Sequence, residues 1–422
     1  MGSATGEEVV AAPAPVSLWR NRSFNLLWTS QSLSDLGSSI AALAIPLLVL
    51  AKTGSPVQAG VVGTVIMVVR LLAQLPSGVL ADRIDRRRAM LLCDLVRLAA
   101  YLVLAVTVLR GSFNLPLLIA VVVVDAGSAV LFSTSEHAAL RTIVPQSQLP
   151  AAVARNEARA YGTSLAGPSL GGVLFGLGQS FPFFGNVVSY LVSLGAILFI
   201  RSPMQGEREP AAERSHAADL VEGVTFVLRN PFLRALLFIA APLNLGFNGA
   251  LFALILLLQR HGTAPALIGG AEAIFGFGGL LGALAAPAVQ RLLRLRSLVV
   301  AICWLATGLI AVAALLTGSV AAAVPLAAAV FLGPACNASL FGYQAAITPD
   351  RLQGRVISVL FLVSMSLSAV APVLAGLLVA HFAGWVPMIV FAAIVGSSAV
   401  AATVSAGMRA VRPLSEVAAT AA

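Results

Sequence analysis

Apolar residues fill long runs of this chain, and polar residues collect in the gaps between them. A helix that crosses a bilayer needs roughly 20 mostly apolar residues. Such stretches occur at 24–50, 57–80, 89–109, 115–138, 155–178, 181–200, 232–258, 266–289, 297–317, 320–343, 355–382 and 385–407. The pattern predicts an all-α polytopic membrane protein with twelve spans. Two gaps are long: RTIVPQSQLPAAVARNEAR before the fifth span, and RSPMQGEREPAAERSHAADLVEGVTFVLRN before the seventh. The second gap divides the chain into an N-terminal bundle (18–200), a linker (201–230) and a C-terminal bundle (231–408), with tails at 1–17 and 409–422. The first tail is small, polar and acidic. A cleavable signal would open with a basic region followed by an apolar core, so this tail is expected to stay disordered in the cytoplasm.

Composition agrees with the pattern. The chain is 59% hydrophobic and 10% charged, whereas soluble domains are about 45–50% apolar and about 25% charged. The net charge of +9 would fit nucleic acid only if a soluble domain carried a basic face, and no stretch here forms one. Cys93, Cys303 and Cys336 each fall inside an apolar run. They form neither a disulfide framework nor a metal-ligand spacing. No cofactor or metal motif is present.

Charge placement sets an orientation. Six of the eleven residues in GVLADRIDRRR (78–88) are charged, between the second and third spans. With both termini on one side, Lys52, Arg110 and Arg260 lie at loops on the opposite side and Arg70 and Arg97 lie inside spans. The remaining 21 of the 26 basic residues sit at or beside the first side. Cytoplasmic loops carry such an excess. Both termini are therefore expected in the cytoplasm, and the arginines to face anionic headgroups of a bacterial-type cytoplasmic membrane rather than nucleic acid.

The halves repeat at an offset of 204 residues. Gly78-Val-Leu-Ala81 meets Gly282-Ala-Leu-Ala285, Arg87 meets Arg291, Pro145 meets Pro349, Pro168 meets Pro372 and Gly172 meets Gly376. Separated matches at one offset indicate a duplicated six-helix unit. Two-half bundles of this kind hold substrate near the midplane, between the halves.

These features together resemble the major facilitator superfamily over residues 18–410. Gly78-x-Leu-Ala-Asp82-Arg83-x-x-Arg86-Arg87-Arg88 is similar to the family's signature between helices 2 and 3. The resemblance implies a latch that holds one conformation of a rocking cycle, and Glu136, near the inner end of the fourth span, is the candidate acidic partner for Arg86. Ala286 stands where the second half would repeat Asp82, so the latch is one-sided. Gly78 is expected to let helices approach closely. Gly167-Pro168-x-x-Gly171-Gly172 resembles the helix 5 motif of proton-coupled exporters, with Thr163 replacing an expected glycine. Proline bends the helix and the glycines allow tight packing. LLWTSQSLSDLGSSIAALAIPLLVL, Asp94-x-x-Arg97 and TPDRLQGRVIS resemble the twelve-helix branch that includes macrolide and siderophore exporters.

A lone charge at the bilayer centre costs at least about 2.5–3.5 kcal/mol, so charges there are functional candidates. At about 1.5 Å per residue, Asp35, Asp125 and Arg70 lie near mid-depth of spans 1, 4 and 2. Asp35 and Asp125 are expected to carry a coupling proton, with Arg70 as a nearby counter-charge. Asp94 and Arg97, three apart, are expected to satisfy each other. Gln31, Asn244, Asn248, Glu272, Asn337 and Gln344 are the polar candidates for the substrate cavity, accompanied by phenylalanines. A sparsely polar wall suits a lipophilic or amphipathic solute better than a sugar. The sequence thus predicts a monomeric secondary transporter that exports small amphipathic molecules against protons. An importer or facilitator of a small metabolite is the alternative. A membrane enzyme would need a catalytic constellation, and none of the familiar ones occurs.

Overall fold

The computed structural model describes residues 18–200, 202–205 and 216–411, and among them every regular element is helical. The N-terminal bundle comprises α1 (Arg22–Thr53), α2 (Pro56–Arg83), α3 (Arg86–Leu109), α4 (Leu115–Ile143), α5 (Leu149–Leu177) and α6 (Phe181–Phe199). After α7 (His216–Arg229) come α8 (Pro231–Arg260), α9 (Pro265–Leu292) and α10 (Leu295–Leu315). The tenth span divides into α11 (Ala323–Val330) and α12 (Gly333–Ile347), and the eleventh into α13 (Gln353–Ser368) and α14 (Ala371–His381). Both breaks precede a proline, Pro334 and Pro372, which cannot donate to the preceding turn. The chain closes with α15 (Val386–Val404) and the short α16 (Ala406–Arg409).

Local sequence explains the helix starts. Asn21, Ser55, Asp85, Asn114 and Asn230 each turn a side-chain oxygen onto a backbone N–H of the first turn. Such caps satisfy donors that the helix itself cannot. Among the described residues, eleven spans are long and apolar enough to cross a bilayer. The twelfth, α5, is less apolar: its first half carries Arg155, Glu157 and Arg159 and its second half is rich in glycine and serine. Of these, Arg159 centres the polar cluster described below, and the glycines pack against α1 and α9.

The linker holds an element that hydropathy does not announce. Glu222 of α7 pairs with Arg351 at 2.7 Å and with Arg355, and Gly223 lies against the Arg355 side chain. The linker helix is thus tied to the start of α13. The predicted disordered tail, 1–17, lies outside the described residues.

In the N-terminal bundle α1 packs on α5 and α6, α3 on α4 and α6, and α2 on α4. In the C-terminal bundle α8 packs on α13, α14 and α15, and α10 on α11 and α15. The bundles meet chiefly through two pairs, α2 with α14 and α5 with α9, with smaller contacts of α1 with α8 and α2 with α13. The end where α2 gives way to α3 is here named the arginine-rich end, and the other the far end. At the far end one apolar cluster includes residues of both bundles, Leu47, Leu48, Tyr101 and Phe183 with Leu254, Leu256, Ile310 and Phe391 among them. At the arginine-rich end there are two clusters, one per bundle: Phe24, Met90, Phe132 and Ile197 in the first, Phe232, Leu298, Val356 and Met408 in the second. The halves therefore share a core at the far end and keep separate cores at the other.

Candidate functional site

A polar cluster sits between α1, α4 and α5, roughly 10–20 Å from the arginine-rich end at about 1.5 Å per residue. Arg159 of α5 is its centre. Its Nη2 lies 3.4 Å from Asp35 of α1 and 3.8 Å from Glu136 of α4. Its Nη1 donates to Gln31 Oε1. Asn156, one turn before Arg159, donates to Glu136 Oε1 at 3.1 Å. The Arg159 and Glu136 side chains are 7% and 4% exposed, whereas that of Asp35 is 44% exposed. Asp35 is the member open to water. His137, 3.9 Å from Glu136 Oε2, is exposed and also bonded to the Ser133 carbonyl. The cluster holds two carboxylates and one buried cation.

A second cluster lies inside the N-terminal bundle. Arg97 Nε donates to Asp125 at 2.8 Å, and its Nη2 donates to Ser38 at 3.0 Å. Tyr190 donates to the same Asp125 oxygen at 3.2 Å, and the guanidinium stands 4.4 Å above the Tyr190 ring. Asp94 does not pair with Arg97 as expected. The fully buried Asp94 accepts from Ser193, whose hydroxyl also meets Ser30, while Arg97 turns towards α4. Position on one helix made the Asp94–Arg97 pair plausible, but packing against α4 and α6 supplied better partners.

The structure separates the three mid-depth charges singled out above. Asp35 goes to Arg159 and Asp125 to Arg97. Arg70 is exposed, and among the described residues it has no hydrogen bond or ion pair with either acid. Arg159 and Asn156 escaped the sequence reading because they fall in the polar stretch that opens the fifth span. Their spacing, three apart on one helix face, was the available signal.

The signature loop is anchored to its own bundle and to the start of the linker. Arg86 Nη1 donates to the carbonyls of Ala138 and Met204 and to Thr142 Oγ1, at 3.1–3.3 Å. Its backbone N–H donates to Gln205, and Arg87 donates to the Leu198 carbonyl at 2.7 Å. Glu136 therefore belongs to Arg159 and Asn156 of α5 rather than to Arg86, whose guanidinium is taken up by the Ala138 and Met204 carbonyls and Thr142. Arg83 is exposed. The side chain of Asp82 lies outside the described residues. Gly78 does not mark a close approach: a Cβ there would meet nothing within 4 Å among the described residues.

The helix 5 motif does pack tightly. Added Cβ atoms at Gly167 and Gly171 would strike Ser39 and Ile40 of α1, and one at Gly172 would strike the Pro265 carbonyl of α9. Pro168 presents its own carbonyl to Gly269 of α9. The repeat holds in three dimensions, since Gly376 lies against the Pro56 carbonyl and Gly60 against the Pro372 carbonyl. Two hydrogen bonds also cross between bundles at the far end, Gln259 to the Leu47 carbonyl at 2.7 Å and the Val373 N–H to Thr64 at 3.1 Å.

A cavity of about 280 Å³ lies in the C-terminal bundle, lined by α8, α9, α10, α11 and α12. Asn244, Asn248 and Asn337 supply its polar groups; Phe247, Phe275 and Cys336 are among its apolar ones. Asn248 is fixed by Ser368 at 3.0 Å. Gln31, Glu272 and Gln344 are not part of this lining. Gln31 joins the Arg159 cluster, Gln344 is buried, and Glu272 stands on α9 with its Oε2 buried and without a hydrogen-bond partner among the described residues.

Comparison with known proteins agrees with this architecture. A bacterial homologue of the lysosomal transporter Spinster, inward-facing and occupied, superposes with a TM-score of 0.70 at 14% identity, over 92% of this chain and 97% of that one. A bacterial homologue of the iron transporter ferroportin, inward-facing, gives 0.64 at 18% identity, over 92% and 99%. In sequence the chain is 27% identical to the multidrug efflux pump Tap of Mycolicibacterium fortuitum over 354 residues, 81% of this chain and 85% of that protein. It is 26% identical to macrolide efflux protein A of Streptococcus pyogenes, over 62% and 65%. The family model of the Major Facilitator Superfamily matches residues 27–372. With its duplicated six-helix bundles and polar groups buried at membrane depth, this chain belongs to the Major Facilitator Superfamily, as a multi-pass membrane transporter and not an enzyme.

Proposed function

We propose that this transporter exports small amphipathic or lipophilic molecules in exchange for protons, by alternating access. The observation that carries the reading is Arg159, a single buried cation shared by Asp35 and Glu136. Two carboxylates facing one guanidinium leave one negative charge uncompensated. A proton on either acid balances the cluster, and a buried group is held best when its charge is balanced. Asp35, the open member, is where that proton enters and leaves. Asp125 has a full counter-charge in Arg97 and serves as a brace within the bundle.

The excess of arginine supports placing the arginine-rich end in the cytoplasm. The separate cores at that end then make this an inward-facing state, sealed at the far, outer end. The Arg86 and Arg87 contacts support a signature loop that steadies the N-terminal bundle during rocking. The C-terminal cavity, with three asparagines among aliphatic and aromatic side chains, fits an amphipathic solute. Likeness to Tap and to macrolide efflux protein A supports export. We take the working unit to be a monomer.

The test is transport of a macrolide by proteoliposomes holding the protein in known orientation. An imposed pH gradient, acidic on the far side, should drive macrolide towards that side against its own gradient. Transport indifferent to pH, or driven the opposite way, contradicts the reading.

A further inference from the structure

Glu272 is used by nothing described so far. It sits seven residues into α9 from the far end, on the helix that forms half of the seam with α5. Three α9 positions define the seam: Pro265 meets Gly172, Gly269 meets Pro168 and Gly276 meets Leu165. Residue 272 lies three after Gly269 and four before Gly276, so it shares their side of the helix. Phe275, three further on, lines the C-terminal cavity. Glu272 thus stands where the closed seam borders that cavity. Its Oε2 is buried and has no hydrogen-bond partner among the described residues.

Among the described residues no cation pairs with it. The α5 segment level with it, Thr163–Gly172, has no titratable group, and Arg155, Glu157, Arg159 and Tyr161 of α5 lie farther towards the arginine-rich end. The 3-10 turn Val320–Ala322 and α11 have none either. On α12, Cys336 and Tyr343 lie beyond the level of Gly282, which meets Phe331. At the far end of α8, Arg260 is bound to the Val379 carbonyl and His261 to the Leu257 carbonyl, and Arg234 is at the other end. On α9 itself only Arg291, at the arginine-rich end, is charged besides Glu272.

An ionised carboxylate without a counter-charge is disfavoured in such a place, whereas the neutral acid is tolerated. We infer that Glu272 is a proton-binding residue of the seam: α5 and α9 close around its neutral form, and its ionisation opens the far end to water. The proton is exchanged with water on the far side, where the opened seam exposes the carboxyl. This rests on the alternating-access reading above, but it concerns a different residue and needs neither substrate nor an imposed gradient to be seen.

Spin labels at Gly176→Cys and Ala264→Cys, both exposed at the far end of the seam, with the three native cysteines replaced by alanine, report its opening by pulsed dipolar distance measurement. Between pH 5.5 and pH 8.5 the open population should rise at least roughly tenfold relative to the closed one, as about 1.4 kcal/mol would give. Glu272→Gln should stay closed throughout, and Glu272→Asp should restore the response. The Asp35→Asn, Glu136→Gln double variant should keep it, which separates this proposal from the coupling cluster. A distance distribution indifferent to pH, an unchanged response in Glu272→Gln, or a response lost only in the double variant overturns the inference.

Discussion

Gly269 of α9 lies so close to the backbone carbonyl of Pro168 on α5 that a Cβ at that position would overlap it. One turn away the roles reverse, with Gly172 of α5 against the Pro265 carbonyl of α9. The pair Gly60–Pro372 and Gly376–Pro56 repeats the arrangement between α2 and α14. The far-end seal is therefore backbone against backbone, made twice by the duplicated unit. Small residues let membrane helices approach in this way.

Replacing Gly172 or Gly376 with valine should hold the seal apart. Overpacking of this kind costs on the order of 1–3 kcal/mol, enough to move the balance between states by about tenfold. A thiol reagent should then label a cysteine at Ala264 faster in the valine variants than in their glycine parent. Equal rates would mean that the contact is incidental.

Arg159 should matter to both transport and folding. Arg159→Gln leaves Glu136, nearly buried, without its cation. Gradient-driven transport should fall by at least roughly tenfold, about 1.4 kcal/mol. Arg159→Lys, which keeps the charge but not the fork that reaches Gln31, Asp35 and Glu136 together, should fall between the two. Initial transport rates and the midpoint of thermal unfolding in detergent measure the two effects.

Asp125 should behave as a structural residue. Asp125→Asn leaves the Arg97 guanidinium buried without a counter-charge, at a cost on the order of 3–5 kcal/mol. The double variant Arg97→Met, Asp125→Leu removes both charges and should recover most of the lost thermal stability. A well-folded Asp125→Asn protein that binds substrate but has lost its pH response would instead place a coupling proton on Asp125.

Most of the architecture is legible in the sequence. Runs of apolar residues mark the spans, Pro168, Pro372, Gly172 and Gly376 mark the repeat, and prolines mark where spans ten and eleven break. The site is legible only in part. Asp35 and Asp125 stand out because each is alone in an apolar run. Arg159 and Asn156 do not, since they sit in a stretch of other polar residues, and Glu136 stands out only as a partner for Arg86, not for Arg159. Partner choice was hidden as well: Asp94 and Arg97 are neighbours on α3, but it is the packing of α4 and α6 against α3 that gives Arg97 to Asp125 and Asp94 to Ser193. The linker helix α7 was missed because its docking depends on Arg351 and Arg355, more than 120 residues away.

Orientation has its own check. Cysteines at Ser112 and Thr263, in far-end loops, should react in intact cells with a reagent that cannot cross the membrane. A cysteine at Gln146, at the arginine-rich end, should react only after the cells are opened. The reverse pattern would invert the reading of which end faces the cytoplasm.

The central claim is that a proton moves on and off the pair Asp35 and Glu136 under the hand of Arg159. Proteoliposomes with the Asp35→Asn, Glu136→Gln double variant test it most directly, by comparing uphill macrolide transport under a pH gradient with downhill exchange of macrolide at equal pH. The account predicts that uphill transport is abolished while downhill exchange continues, because the cavity of the C-terminal bundle is untouched. Uphill transport at the unmodified rate in the double variant would contradict it.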